Sequence, residues 1–415
     1  MAATDLFITT ELRSPILRVA LLDMAAAAGI ATKLLKSLGI GLGLLTASGL
    51  CLPEAQARER KGVHLGAIPI SSFSTDAGYT AGILAQRFDY GSGIEPGPGL
   101  RPFQSLLTLQ ATYSTRGPRD AWISYESFWD RTLDPLGWRW SLDAYGMEST
   151  YQRYYGLGPD SSRLGVLERE GFYFYDRSLF LLSGSLRKRM PELGGVDLQF
   201  GASQVATRSE PGTQDDSQYR RDFGEAPLAQ TYTQLSLRGI WERRNSEFIP
   251  TQGSFASFSL SGAPLPGWSR LDLDLRRYIE FLPDRGLWLA SQVRYTGVTQ
   301  ETPLHEKARL GSLGTFRGVA LNRYLSNHSA SLRNELRSIW LKDTFFGLPL
   351  KLGSGLYLDA GKVSDTFEQI PQTPLRLSWG FALFGSYFTD DFLGSADFGF
   401  SPEGSSVYLR LGHAF

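Results

Sequence analysis

The chain has 415 residues, and Lys+Arg and Asp+Glu both number 42, so the formal net charge is zero. That balance excludes the basic footprint of a general nucleic-acid binder, and the length suits two or three soluble domains or one large barrel. A single cysteine, Cys51, excludes an intramolecular disulfide, and four histidines without paired cysteines give no metal-ligand spacing. Glycine (45) and aromatic residues (13%) are plentiful. Glycine serves turns and close packing, whereas Trp, Tyr and Phe suit membrane interfaces.

Lys33 and Lys36 precede an apolar, Gly-rich run from Leu38 to Leu52. Pro53-Glu54-Ala55-Gln56-Ala57 then leads into the charged Arg58-Glu59-Arg60-Lys61. A basic stretch, a short apolar stretch and an A-x-A site describe a secretory signal peptide, here cleaved after Ala57. The apolar run is too short to span a bilayer comfortably, and Leu50 before Cys51 is too large for lipoprotein processing. Residues 1–57 are therefore expected to be a signal peptide with a long lead-in, Met24 being an alternative start. Residues 58–76 are expected to form a short periplasmic segment, and 77–415 a transmembrane β-barrel.

After the leader, no stretch of 18 apolar residues follows. Alternation of period two in blocks of about ten residues recurs instead. Leu107, Leu109, Ala111 and Tyr113 alternate with Thr108, Gln110, Thr112 and Ser114, and Leu271, Leu273 and Leu275 with Asp272, Asp274 and Arg276. A strand gathers each set on one face, whereas a helix would scatter them. The spacing predicts strands near 77–89, 104–116, 119–131, 136–148, 171–187, 195–207, 229–243, 253–262, 269–282, 286–299, 329–341, 349–361, 375–387, 392–401 and 404–415. Fifteen is odd and bacterial barrels use even numbers, so sixteen are expected, the missing one lying in 63–71 or 149–187. The polar stretches 208–228 and 300–328 read as extracellular loops. A soluble β-sandwich would have to bury the Trp and Phe residues that recur on the apolar faces. The final strand sets Val407, Leu409, Leu411 and Phe415 on one face, as an outer-membrane assembly signal would.

Four motifs in order then point to a family. Arg243 to Gly253 resembles the link before a late strand of the BamA/TamA-like superfamily, the bacterial surface antigen barrels. Leu310-Gly311-Ser312-Leu313-Gly314-Thr315-Phe316-Arg317-Gly318 resembles the tip of that family's long sixth loop. Asn334-Glu335-Leu336-Arg337 resembles the next strand, and Tyr357-Leu358-Asp359-Ala360-Gly361 an aromatic-x-Asp-x-Gly signature on the one after. Tyr155-Gly156-Leu157-Gly158 is similar to a first-half motif of the same barrels. The resemblance implies a sixth loop folded into the lumen, with Phe316, Arg317 and Gly318 at its tip. Parity independently places Glu335 and Asp359 on the lumen side of adjacent strands, opposite Leu332, Leu336, Leu356 and Leu358. The family holds its loop arginine by acidic wall residues, which implies Arg317 between Glu335 and Asp359. The alternative keeps Arg317 solvated and pairs the carboxylates with Arg333, Arg337 or Lys351.

No catalytic residues are expected, because none of the histidines sits beside a nucleophile motif, and no cofactor or metal is expected either. The resemblance implies an outer-membrane protein acting in assembly or transport of outer-membrane components. Its partners would be membrane lipids, the barrel-assembly machinery during biogenesis and a separate periplasmic partner. The best-known members carry periplasmic polypeptide-transport-associated domains, for which 58–76 is too short. A passive porin-like channel, or a surface antigen of the same fold, is the alternative.

N-terminal sequencing of the protein from the membrane fraction should return Arg58 as first residue; retention of residues 33–57 would overturn the export reading.

Overall fold

The structure, a computed structural model, describes residues 62–91, 103–128, 138–246, 249–283, 286–345, 347–387 and 393–411. The expected signal peptide, residues 58–61 and Phe415 lie outside them. Sixteen strands close an antiparallel barrel, each paired with its neighbour in sequence. They are β1 (Val63–Ser74), β2 (Gly78–Asp89), β3 (Ser105–Ser114), β4 (Arg119–Phe128), β5 (Arg139–Arg153), β6 (Phe174–Met190), β7 (Val196–Pro211) and β8 (Leu228–Glu242). The second half holds β9 (Gly253–Ala263), β10 (Trp268–Leu282), β11 (Leu287–Val298), β14 (His328–Phe345), β15 (Leu348–Ser364), β16 (Arg376–Tyr387), β17 (Leu393–Ser401) and β18 (Gly404–Leu411). Between β11 and β14, residues 299–327 form the sixth loop, L6, which carries its own hairpin of β12 (Ala308–Leu310) and β13 (Tyr324–Ser326).

Alternation decides which face is which. On β15, Leu356 and Leu358 are 66% and 52% exposed, whereas Tyr357 and Asp359 are 4% and 0% exposed. The apolar set therefore faces outward around the barrel and the polar set inward, the inverse of a soluble core and the pattern of a barrel in lipid. On β18, Val407 and Leu409 follow the outward parity, with Tyr408 buried between them. Leu411 pairs with Gly394.

The sixteenth strand is β1, so the expected periplasmic segment at 58–76 is corrected: Val63–Ser74 belongs to the barrel wall. Gly66, Ala67 and Pro69 interrupt its apolar alternation, and both of its faces are largely exposed. The other suspect stretch, 149–187, holds no extra strand; β5 runs on to Arg153, and a loop with the short helix α1 (Gly165–Arg169) leads to β6. The expected loop at 208–228 starts later, because β7 continues to Pro211. It contains the helix α2 (Gln218–Phe223), whose N-terminus is capped by the Ser217 hydroxyl accepting from the Arg220 amide.

One seam differs from the rest. Among the described residues, β1 pairs with β2 over twelve residue pairs but with β18 over two, Phe73↔Leu409 and Ser74↔Tyr408. Every other neighbouring pair is joined over eight or more. The two pairs lie at the end that also carries L6.

Leu356→Arg, at the middle of β15, should cost about 2–4 kcal/mol of folding stability in vesicles, read by urea unfolding. Unchanged stability would place this face away from lipid.

Candidate functional site: the L6 tip against the barrel wall

L6 turns inward because its hairpin and tip satisfy their own backbone. The amide of Ser312 donates to the Val319 carbonyl at 3.0 Å, and that of Phe316 to the Ser312 carbonyl at 2.9 Å. Thr315 Oγ1 closes the same turn, donating to the Gly311 carbonyl at 2.8 Å and accepting from the Gly311 amide at 3.1 Å. Phe316 packs with Leu310, Val319, Tyr324 and Val363 in a buried apolar cluster. Two arginines of the wall hold tip carbonyls: Arg294 Nη1 reaches Gly314 at 2.6 Å and Arg333 Nη2 reaches Leu313 at 3.0 Å.

Glycine is required where backbone meets backbone. Gly318 has φ +77°, and a Cβ there would fall 2.8 Å from the Phe400 amide nitrogen of β17. Its carbonyl accepts from Ser401 Oγ at 2.8 Å. Gly361 leaves room for Leu310, whose methyl group would lie 2.7 Å from an added Cβ.

This packing delivers Arg317, fully buried, to the inner wall. Its Nε and Nη2 donate to the two oxygens of Asp359 at 2.9 and 2.8 Å, and its Nη1 to Glu335 Oε2 at 2.6 Å. The guanidinium plane lies over the Tyr357 ring, with Cζ 3.4 Å from the centroid. Both carboxylates named from parity thus meet the loop arginine, and Tyr357 is its stacking platform. The other arginines share them: Arg337 Nε donates to Glu335 Oε1 at 3.0 Å, and Arg333 Nε lies 3.6 Å from Asp359. The solvated alternative for Arg317 is corrected, because burial forces the cation onto a carboxylate.

Sequence reasoning missed Asp397 on β17. It lies 3.5 Å from Arg317 Nη1 and 3.3 Å from Arg410 of β18. Its signal was faint: it is the one ionisable residue of a strand whose inward set is otherwise Leu393, Ser395, Gly399 and Ser401. Burial pushes the pKa of Arg317 down, but Asp359 and Glu335 outweigh it and hold it well above the ordinary arginine value. The cation is permanent, so the site is a clamp rather than a proton-transfer device. Among the described residues no three metal-ligating side chains converge.

L6 also reaches both sides of the seam. The Leu321 amide donates to Asp76 Oδ1 in the β1–β2 turn at 2.9 Å, and Arg323 Nε to Glu403 Oε2 in the β17–β18 turn at 2.6 Å. The Tyr155-Gly156-Leu157-Gly158 segment lies along the L6 hairpin, the Gly158 amide donating to the Leu325 carbonyl at 2.7 Å.

A family model described as the Omp85 superfamily domain matches residues 107–384. The chain belongs to the Omp85 superfamily. The structure of BamA from Haemophilus ducreyi lacking POTRA domains 1–3 superposes with a TM-score of 0.59 at 14% identity, over 84% of this chain and 70% of that one. CdiB from Acinetobacter baumannii superposes with a TM-score of 0.51 at 13% identity, over 85% and 60%. At such identities the likeness is one of fold, and the chain spans less than two thirds of the CdiB chain. No match was found among curated protein sequences. In this Omp85 barrel the family match takes in the whole of L6 together with Glu335 and Asp359.

Arg317→Ala should cost about 3–5 kcal/mol, because two buried carboxylates lose their shared partner. Arg317→Lys should rescue only partly, since an ammonium cannot span both acids as a planar fork. Double-mutant cycles with Glu335→Gln and Asp359→Asn, read by unfolding, should show coupling; additivity in both would detach Arg317 from the wall.

Proposed function

We propose that this Omp85 barrel resides in the outer membrane and acts in the assembly or transport of outer-membrane components by opening at the β1–β18 seam. The observation that carries this reading is that, among the described residues, the seam holds two residue pairs although β18 runs on to Leu411. In lipid an unpaired strand edge costs several kcal/mol per unsatisfied backbone group, so a passive pore gains nothing from leaving one. A barrel that must part its wall gains a low barrier to opening. L6 sets where the opening starts: its contacts to Asp76 and Glu403 hold the end at which the two pairs lie. Parting therefore begins at the opposite end, the one facing the periplasm, and is complete enough to admit a client only when these two pairs also separate. The clients are strands or chains arriving there, delivered by a separate periplasmic partner, and the barrel-assembly machinery inserts this protein in turn.

A disulfide between Phe73→Cys and Leu409→Cys, which face each other across the seam, should leave the barrel folded. It should abolish insertion of a client barrel into vesicles, measured as the protease-protected fraction. Reductant should restore it. Equal activity of the oxidised and reduced forms would overturn the seam mechanism. A steady conductance in planar bilayers, indifferent to the disulfide, would favour the passive channel.

A further inference from the structure

At the end that carries L6, the strands β5 to β8 rise above their neighbours, so their sheet has two free sides there. On one side β5 outruns β4, whose pairing stops at Arg119↔Glu148. That side is blunted. β5 has a bulge between Ser149 and Gln152, and Arg153 Nη1 donates to Asp76 Oδ1 at 3.1 Å. On the other side β8 outruns β9. β8 pairs with β7 from Leu228 onward, but with β9 only from Leu235, opposite Gly262. β9 stops where Ala263 packs with Trp268 and Tyr232 and the chain turns back, the Gly267 amide donating to the Ala263 carbonyl at 2.9 Å.

The 228–234 edge of β8 is bare and not blunted. The Arg243 amide donates to the Ser254 carbonyl across the β8–β9 ladder at 2.9 Å. Alternate residues of an antiparallel strand address the same neighbour, and β8 has no bulge in either ladder. Ala229, Thr231 and Thr233 therefore direct their N–H and C=O groups to the side where β9 is missing. All three are exposed, and among the described residues they make no backbone hydrogen bond on that side. The edge reads Leu-Ala-Gln-Thr-Tyr-Thr-Gln. It has no charge and no proline, the devices that keep strand edges from pairing. Tyr232 fixes it from inside: its hydroxyl lies 2.7 Å from Nε2 of His305 in L6, and its ring packs edge-on to Trp268. The edge stands clear of lipid. The outward residues beside it on β6 and β7 are Asp176, Arg208 and Glu210, whereas exposed Leu235 and Leu237 mark the apolar band below.

We propose that the 228–234 edge of β8 is a cell-surface docking site for an extended segment of another polypeptide, which adds as a strand in the place β9 leaves open. A row of main-chain donors and acceptors at strand spacing is matched by the backbone of another strand. Side chains then set preference: β-branched residues suit Thr231 and Thr233 across the ladder. The adjoining β9–β10 turn cannot fill the place itself, because Pro264 and Pro266 have no amide to give. A second copy in the same membrane does not fit either. Rotation about the membrane normal keeps both β8 strands running toward the periplasm and reverses their tilt, so they cross instead of aligning. The site rests on the barrel's place in the outer membrane but not on the assembly reading, because it uses neither the seam nor the Arg317 clamp.

The test uses the full barrel, held singly in nanodiscs, with hydrogen exchange read residue by residue. Without peptide, the amides of Thr231 and Thr233 should exchange much faster than those of Gln230 and Tyr232, which the β7 ladder protects. A labelled peptide of alternating threonine and valine should bind saturably, measured by fluorescence anisotropy, and should slow the Thr231 and Thr233 amides. The same peptide N-methylated at alternate residues, in either phase, should do neither. Thr231→Pro removes a donor that the barrel does not use, so it should leave the Tm unchanged and weaken the peptide about tenfold or more. The proposal is overturned if the Thr231 and Thr233 amides are already protected without peptide, if the peptide does not bind, or if its methylated forms bind equally. It is also overturned if discs holding two barrels protect these amides without peptide, since the occupant would then be a second copy.

Discussion

A buried arginine on a loop holds this barrel's interior together. Arg317 cannot lose its charge and cannot reach water, so it requires carboxylates on the wall. Glu335 and Asp359 meet that need from adjacent strands, and they in turn lie against Arg337 and Arg333. Asp397 carries the network to Arg410 on β18. A clamp that begins as one contact between loop and wall therefore ends on the last strand of the barrel. Removing any one charge leaves another buried without its partner, which is why the group acts as a unit.

The same loop constrains the seam. A closed barrel in lipid needs every strand edge paired, yet among the described residues β1 and β18 share two residue pairs. Those pairs lie beneath the turns that L6 grips through Asp76 and Glu403. The described ladder thus lies where the loop reinforces it. The close approach of Gly318 to Phe400 fixes how near L6 can come to β17, so the glycine sets the geometry of both the clamp and the crossing.

Much of this was legible in the sequence because a strand has a period of two and one face of each strand meets lipid. Leu332, Leu336, Leu356 and Leu358 marked the outer face, and that parity alone turned Glu335 and Asp359 inward before any loop was considered. The family motif then supplied Arg317, which no periodicity could have found, because a loop residue has no parity. Asp397 went unread for a different reason. Leu393, Ser395 and Gly399 share its face, so no polar run distinguishes the inner side of β17.

The strand that escaped the sequence reading is also the one at the seam, and the two facts have one cause. A strand paired on both sides cannot easily hold proline, which gives no amide to the ladder. β1 holds Pro69 and keeps its register with β2 through it, as Pro69↔Ile83, outside the two described residue pairs that join β1 to β18. Its two exposed faces blur the alternation that announces every other strand. Broken alternation and a tolerated proline thus occur together on the strand that meets β18. Where local pattern and global closure conflict in this chain, the conflict falls on the strand that closes the barrel.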